Sequence, residues 1–241
     1  MTSQSTQRLE RVLQSSLLFR GFDPAILADI AKTASVRALS RGDHLWRAGD
    51  RAQQFILILS GLVKIVRRIP DGTEAILALF GPRESVGDVA VIGRRTYPAD
   101  AVVVSEEAEI VRVDGEPLLG LMERRPDVAN SLNRTLVSHT QLLHTKIGVM
   151  SAGSVPKRLA TLLLSLAERF GDEQEDDTVR IPVAISRGEL ACLVSARVET
   201  TIRAIRQWER AGLVSTEPTG FVLHDVVALE RLTRADDDAA G

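Results

Sequence analysis

The stretch that most limits what this chain can fold into is residues 185–213, I-S-R-G-E-L-A-C-L-V-S-A-R-V-E-T-T-I-R-A-I-R-Q-W-E-R-A-G-L. Its apolar residues recur at helical spacing, break, and resume. Leu190, Leu193 and Val194 give a first short helix an apolar face, and Ser195 with Ala196 make the bend. Thr201, Ala204, Ile205 and Trp208 form the inner face of a second helix, from which Arg197, Glu199, Thr200, Arg203 and Arg206 point outward. The pattern is a helix-turn-helix with a polar, arginine-bearing second helix. Such a helix can lie in the major groove of DNA.

At 241 residues the chain has room for two domains. Its formal net charge is −2, so contact with nucleic acid must come from a local patch rather than from bulk charge. Cys192 is the single cysteine. That excludes a disulfide framework, a cysteine-ligated iron–sulfur cluster and a zinc site built on several thiolates, and no metal is expected. Cys192 itself reads as a small, semi-buried filler in the first helix of the motif, in preference to a redox switch. No apolar run reaches transmembrane length and the N-terminus lacks a secretory pattern. The expectation is a soluble, cytoplasmic protein with no membrane partner.

In chain order, residues 6–34 read as helical, broken at Gly21-Phe22-Asp23-Pro24, with Asp23 as an N-cap and Pro24 at the first helical position. From 36 to about 113, short strand-like segments alternate with glycine turns at Gly42, Gly49, Gly61, Gly72, Gly81 and Gly87. This predicts an all-β sandwich or roll. Residues 55–59 read as a buried strand, with 62–68 as its hairpin partner and a further turn at Asp71-Gly72. Pro117 and Pro126 open a short and a long helix. Along the long one, Ala129, Leu132, Leu136, His139, Leu143, Lys146 and Met150 alternate three- and four-residue spacings. That is a heptad seam suited to a symmetric dimer; the alternative is an amphipathic helix packed on its own β-domain. Residues 151–154 read as a hinge. A helix over 155–170, an acidic loop, and a short strand near 178–184 lead into the helix-turn-helix. A β-hairpin wing turns at residues 217–220, Asp225 caps a last helix, and residues 236–241 form an acidic tail. The fold class is α+β. The expected domains are 1–125 (roll with flanking helices), 126–152 (dimerisation helix and hinge), 153–235 (winged helix-turn-helix) and 236–241 (tail).

This order of parts resembles the cyclic-AMP receptor protein and FNR (Crp/Fnr) family of bacterial transcription regulators, over about residues 7–232. The glycines of the roll, P-K-R-L-A at 156–160, I-S-R-G-E-L-A-C-L-V at 185–194 and V-E-T-T-I-R at 198–203 carry the likeness. It implies a jelly roll like a cyclic-nucleotide-binding domain, a long dimerisation helix and a C-terminal winged helix-turn-helix. The implied function is a homodimer that binds a near-palindromic double-stranded DNA site, modulated by an effector in the roll, with RNA polymerase as a candidate partner. Glu199 and Arg203 match the family's two shared base-reading positions. An arginine fork fits guanine O6 and N7, and a carboxylate accepts from cytosine N4. Standing alone, the same two residues would read as an exposed i,i+4 ion pair. Val198 is like the FNR type, whereas Ile202 departs from it, so the flanking bases of the site should differ. Ser186, Arg187, Arg197 and Thr200 are candidates for backbone or flanking contacts, with Val198 beside them. Arg206 either joins them or is a solvated charge.

In the cyclic-AMP-binding branch the roll carries G-E-L, then R-S-A, whose arginine neutralises the phosphate. Here Gly87 and Asp88 keep the first half, while Pro98 and Ala99 replace the Arg-Ser pair and Asp100 adds negative charge. Arg94 and Arg95 could substitute, and Leu143 and His144 stand near the positions for the base. The expectation is that cyclic AMP is not the ligand. Haem would need His44, His139 or His144. No cofactor is expected, which leaves an unknown small effector, a protein partner, or none. A competing reading, a cyclic-nucleotide-responsive module regulating an enzyme or channel, fits the roll but does not need the helix-turn-helix. An enzyme is disfavoured because no phosphate loop, metal-ligand pair or nucleophile elbow is present.

Overall fold

The computed structural model describes residues 3–68 and 74–234. The turn expected at Asp71-Gly72 and the tail at 236–241 lie outside the described residues. Packing divides the chain into two units: residues 1–67 with 78–142, and residues 68–77 with 143–241.

In the first unit, helix α1 (Ser3–Ser15) and helix α2 (Pro24–Thr33) come before the strands. The Asp23 side chain accepts from the Ala25 amide at 2.8 Å and Pro24 occupies the first turn. Both groups thus act where the first helical N–H groups lack partners. Eight strands follow: β1 (Ser35–Ser40), β2 (His44–Trp46), β3 (Gln54–Ser60), β4 (Val63–Arg68), β5 (Glu74–Phe80), β6 (Ser85–Val86), β7 (Asp100–Val103) and β8 (Glu107–Asp114). A short helix α3 (Asp88–Ile92) separates β6 from β7. The strands form two four-stranded sheets, ordered β1-β8-β3-β6 and β2-β7-β4-β5. Helix α4 (Gly115–Met122) and the long helix α5 (Pro126–Ser151) follow. Phe19, Phe55, Ile58, Ile110, Leu118 and Leu132 are fully buried in the shared core.

The hairpin expected between residues 55–59 and 62–68 does not form. β3 pairs with β8 and β6, whereas β4 pairs with β7, so the two strands lie in different sheets. Gly61 makes the crossing possible: its φ is +79°, and a Cβ there would run into the Glu107 carbonyl and Ser105. Apolar run length and turn residues identified both strands but could not assign their partners, which are non-local.

The heptad seam on α5 also divides. Leu132 is buried in the roll core, and His139 lies against Phe80 with its Nε2 3.1 Å from the Ser85 carbonyl oxygen. Together with Val128, Ser131 and Thr135, all buried, they make an inward face. The outward face carries Asn133, Val137, Thr140, His144 and Ile147 at spacings of four and three, flanked by Leu143 and Met150. Val137, Leu143 and Ile147 are more than half exposed. Leu136 lies half-buried between the faces. The sequence seam thus merges two stripes that face different ways.

In the second unit, helix α6 (Val155–Phe170) precedes β9 (Asp172–Glu173) and β10 (Val179–Ile181), then helices α7 (Arg187–Leu193) and α8 (Val198–Arg210). The wing is β11 (Val214–Glu217) with β12 (Gly220–Leu223), and helix α9 (Val226–Arg234) ends the described chain. The four strands form one sheet, ordered β11-β12-β10-β9. Leu159, Leu163, Ile205, Phe221 and Leu229 are fully buried beneath it. β9 has no expectation in the sequence, because Asp172 and Glu173 carry a strand edge with acidic side chains.

Candidate nucleic-acid interface and cavity

The recognition surface begins with α7. Ser186 and Glu189 make a reciprocal capping box: the Ser186 hydroxyl accepts from the Glu189 amide at 3.2 Å, and the Glu189 carboxylate accepts from the Ser186 amide at 3.0 Å. A box of this kind satisfies two otherwise orphaned N–H groups. The Ser186 hydroxyl, a candidate for DNA backbone contact, is therefore occupied in holding the helix start.

The turn after α7 is fixed by two cations. Arg158 on α6 donates to the Val194 carbonyl at 2.8 Å and to that of Ser195 at 3.4 Å. Lys146 on α5 donates to the Leu193 carbonyl. Positive charge at a helix C-terminus satisfies carbonyls that have no intrahelical donor. Burial pushes the Lys146 ammonium below the ordinary lysine range. Ser195 adopts φ +48°, the left-handed turn that aims α8. Neither Lys146 nor Arg158 stands out in the sequence as belonging to this turn, since nothing local links them to residue 194. Cys192, expected to be a semi-buried filler, is exposed on α7.

Thr201, Ala204, Ile205 and Trp208 are buried, sealing the inner face of α8. Arg197, Val198, Glu199, Arg203 and Arg206 are exposed on the other side, and Thr200 is half-buried at its edge. Glu199 and Arg203 lie one helical turn apart. The ion pair their spacing allows is absent; among the described residues neither is engaged by another side chain. Both are left available to an external partner.

Arg187 is placed differently from its expected role beside DNA. Its guanidinium is 3.3 Å from the Glu209 carboxylate, donates to the Thr216 hydroxyl at 2.6 Å and lies over the Phe221 ring. Thr216 in turn donates to Glu209 at 2.6 Å. Burial pulls Arg187 below the usual arginine range, and the Glu209 charge opposes that shift. The group joins the start of α7, the end of α8 and the wing. At the wing itself, Arg180 on β10 holds Glu217 at 2.8 Å and reaches Thr219 at 3.3 Å.

The roll contains a cavity of about 320 Å³. It is lined by Trp46, Ile65, Phe80, Val86, Tyr97 and Ala99, with Gly87, Asp88 and His139 among its other wall residues. Trp46 and Tyr97 stack with centroids 4.0 Å apart and planes 14° from parallel. Gly87, at φ +84°, lets the backbone approach these rings; a Cβ would lie 2.8 Å from Tyr97 and 2.9 Å from Trp46. Asp88 is fully buried. Its Oδ2 accepts from the Ser85 hydroxyl at 2.5 Å and is 3.8 Å from His139 Nε2, while Oδ1 has no partner. Burial pushes this carboxyl up to about 6, with His139 and Ser85 pulling the other way. Burial likewise pushes the Tyr97 phenol up to about 12, helped by the Asp88 charge.

Of the sequence candidates for an effector site, Gly87, Asp88, Arg95 and Ala99 meet at this cavity. Four do not. Asp100 turns away, accepting from the Ala48 amide at 2.7 Å and facing His44 at 3.9 Å. Arg94 pairs with Glu116 at 3.3 Å on a separate groove. Leu143 and His144 are exposed on the outward face of α5. The helix residue that does reach the cavity is His139, one turn earlier. Trp46, Tyr97 and Phe80 carried no signal along the chain. They come together only because β2, β5 and the segment after α3 converge.

Residues 36–125 match the cyclic nucleotide-binding domain family and residues 157–232 match the Crp-like helix-turn-helix domain family. The chain is similar to a CRP-like cAMP-activated global transcriptional regulator of Mycobacterium tuberculosis, 29% identical over 94% of this chain and 100% of the relative. It is also similar to the cyclic AMP receptor protein of Thermus thermophilus, 28% identical over 91% of this chain and 98% of that one. In fold it is similar to FixK2 from Bradyrhizobium japonicum, with a TM-score of 0.72 at 17% identity over 84% of this chain and 98% of that one.

Proposed function

The chain belongs to the Crp/Fnr family of transcriptional regulators, and from that premise we propose that it acts as a homodimer on a near-palindromic DNA site. The observation that carries the reading is the two-sided character of α8. One face is sealed into the domain, and the other presents Glu199 and Arg203 with no side-chain partner among the described residues. Arg203 would hold a guanine by its O6 and N7, and Glu199 would accept from a cytosine N4. Arg197, Thr200 and Arg206 would contact flanking phosphates, which position a duplex without reading it. The exposed stripe through Val137, Leu143, Ile147 and Met150 is the dimer surface in this proposal, since an uncovered apolar helix face needs a partner. Two copies would set their α8 helices about one DNA turn, roughly 34–36 Å, apart.

Recovering the genomic fragments that the purified protein binds, and reading their shared motif, tests this. A two-fold-related motif with a G·C pair in each half is expected. Equal affinity for matched and scrambled DNA would overturn it. A protein of this kind works in the cytoplasm, where the DNA is; among the described residues no helix is long and apolar enough to cross a membrane. RNA polymerase is the further protein contact this role calls for. Regulation rather than catalysis is the proposed activity, in keeping with relatives that are named transcriptional regulators.

The roll is the effector side of the proposal, and cyclic AMP fits its cavity poorly. The residues standing for the phosphate-binding pair are Pro98 and Ala99, and the buried ionisable group in the wall is the Asp88 carboxyl. A cyclic phosphate would give up water for a carboxylate neighbour, which is unfavourable. Haem is also a poor fit, because His139 Nε2 is directed at the Ser85 carbonyl and His44 at Asp100. Purified protein reconstituted with haem should show no Soret band.

A further inference from the structure

The chemistry of the roll cavity narrows what could occupy it, and this inference rests on the roll being the effector side. We propose that the cavity takes an uncharged, flat, mostly apolar small molecule with one hydroxyl or N–H group, which donates to Asp88. At about 320 Å³ the space is at the lower end of small-molecule sites, which run from about 300 to 1,000 Å³.

The walls select for an apolar body. Trp46 Nε1 donates to the Ala99 carbonyl at 2.9 Å, and the Tyr97 hydroxyl donates to the Gln54 carbonyl at 3.4 Å. Both polar handles are thus spent on backbone, so the stacked rings offer carbon surface to a guest. Phe80, Ile65 and Val86 continue that surface. A sugar, with hydroxyls all round, would leave most of them unpaired against these side chains. Flat rings, by contrast, extend the existing Trp46–Tyr97 stack.

One buried side-chain atom of the wall lacks a hydrogen-bond partner among the described residues. Asp88 Oδ2 is held by Ser85, and the His139 Nε2 is turned to the Ser85 carbonyl. Oδ1 is buried without a partner. A buried oxygen in that state gains most from a donor and nothing from a second acceptor. Anions are selected against by the same carboxylate, and the lining arginine, Arg95, is exposed to solvent where its charge is screened. His139 sits edge-on to Phe80 at 5.4 Å. A guest in the cavity therefore touches a residue of α5, the helix of the proposed dimer.

The test is calorimetric titration of full-length protein with three probes: 2-naphthol, its methyl ether 2-methoxynaphthalene, and cyclic AMP. Expected are one 2-naphthol per chain, binding at least about tenfold weaker for the ether, since a hydrogen bond to a charged group is lost, and weaker binding still for cyclic AMP. Ala99→Phe, which fills the cavity, should abolish 2-naphthol binding, and Asp88→Ala should bring the naphthol-to-ether ratio close to one. Equal binding of naphthol and ether to the unmodified protein overturns the proposal without reliance on any variant. So do preference for cyclic AMP, no naphthol binding up to its solubility limit, and binding that survives Ala99→Phe in a protein with unchanged circular dichroism. Fluorescence anisotropy on selected DNA, run on the same preparations, separates a failure here from a failure of the DNA-binding reading.

Discussion

The recognition helix and the roll cavity treat polar groups in opposite ways. On α8 Glu199 and Arg203 point into solvent with no side-chain partner among the described residues, while the apolar face is sealed beneath them. In the roll the ionisable group is the one enclosed: Asp88 is fully buried, with the Ser85 hydroxyl and His139 as its polar neighbours. A solvated guanidinium costs nothing to keep and can be handed to a phosphate or a guanine edge on contact. A buried carboxyl is costly to ionise and so discriminates strongly among guests by charge. In the proposed reading the first site suits a large polyanion that arrives from outside, and the second a small neutral molecule that must leave water; the two would differ in how much solvent their polar groups retain.

The largest expected effect breaks the DNA site through the dimer surface and leaves the cavity intact. Leu143→Asp combined with Ile147→Asp places charges on the exposed stripe of α5. The protein should sediment as a monomer and bind a full palindrome at least about 100-fold more weakly, because the second half-site no longer adds its effective concentration. Unaltered sedimentation would remove the dimer surface from the proposal. Next in size, Arg203→Ala should cost about 1–3 kcal/mol on the preferred site and relax base choice at one position. Affinity for scrambled DNA should hardly change, which anisotropy with matched and scrambled duplexes would reveal.

The cavity side is sharpened by pH. The folded Asp88 carboxyl is raised from 3.8 to about 6 by burial, so the native state holds a proton that the unfolded chain releases. The sign follows: this stabilisation is complete below about 3.8 and is lost as pH rises through about 6. Between pH 7.5 and pH 5 this group should add on the order of 1 kcal/mol, and Asp88→Asn should flatten that part of the profile. Denaturant melts at both pH values, with and without the substitution, measure it. An identical slope in the variant would assign the proton uptake elsewhere.

The smallest effect separates positioning from contact on the DNA side. Arg187→Lys keeps the charge but loses the fork that spans Glu209 and Thr216. It should lower thermal stability by about 1 kcal/mol and weaken matched and scrambled DNA alike. Unchanged stability with a shallower salt dependence of binding would instead return Arg187 to the phosphate contacts.

How much of this was legible in sequence follows the same contrast. The inner face of α8 is a local pattern, and Thr201, Ala204, Ile205 and Trp208 are all buried as their spacing predicts. Asp23, Pro24 and Pro126 act within a turn of themselves, and they mark helix starts correctly. Legibility fails where partners are distant. The α5 seam merges residues bound to the roll, such as Leu132 and His139, with residues open to solvent, such as Leu143. Periodicity reports that a face is apolar, not which neighbour covers it. Arg187 reads as an exposed basic residue until Glu209 and Thr216, more than twenty positions later, are brought beside it.

The sequence by itself determined the two-domain character, the helix starts and the helix-turn-helix with its sealed inner face, because these depend on spacing within one or two turns of helix; the base-reading role of Glu199 and Arg203 is what the family likeness implies. Family likeness extended that to the kind of molecule. Tertiary structure alone decided which sheet each strand joins, which face of α5 is left uncovered, and what the roll cavity is made of. Trp46, Phe80, Asp88, Tyr97 and His139 share that cavity although they span more than ninety residues of chain. Their chemistry comes from loss of water, and exclusion of water is a property of the packed molecule rather than of any segment.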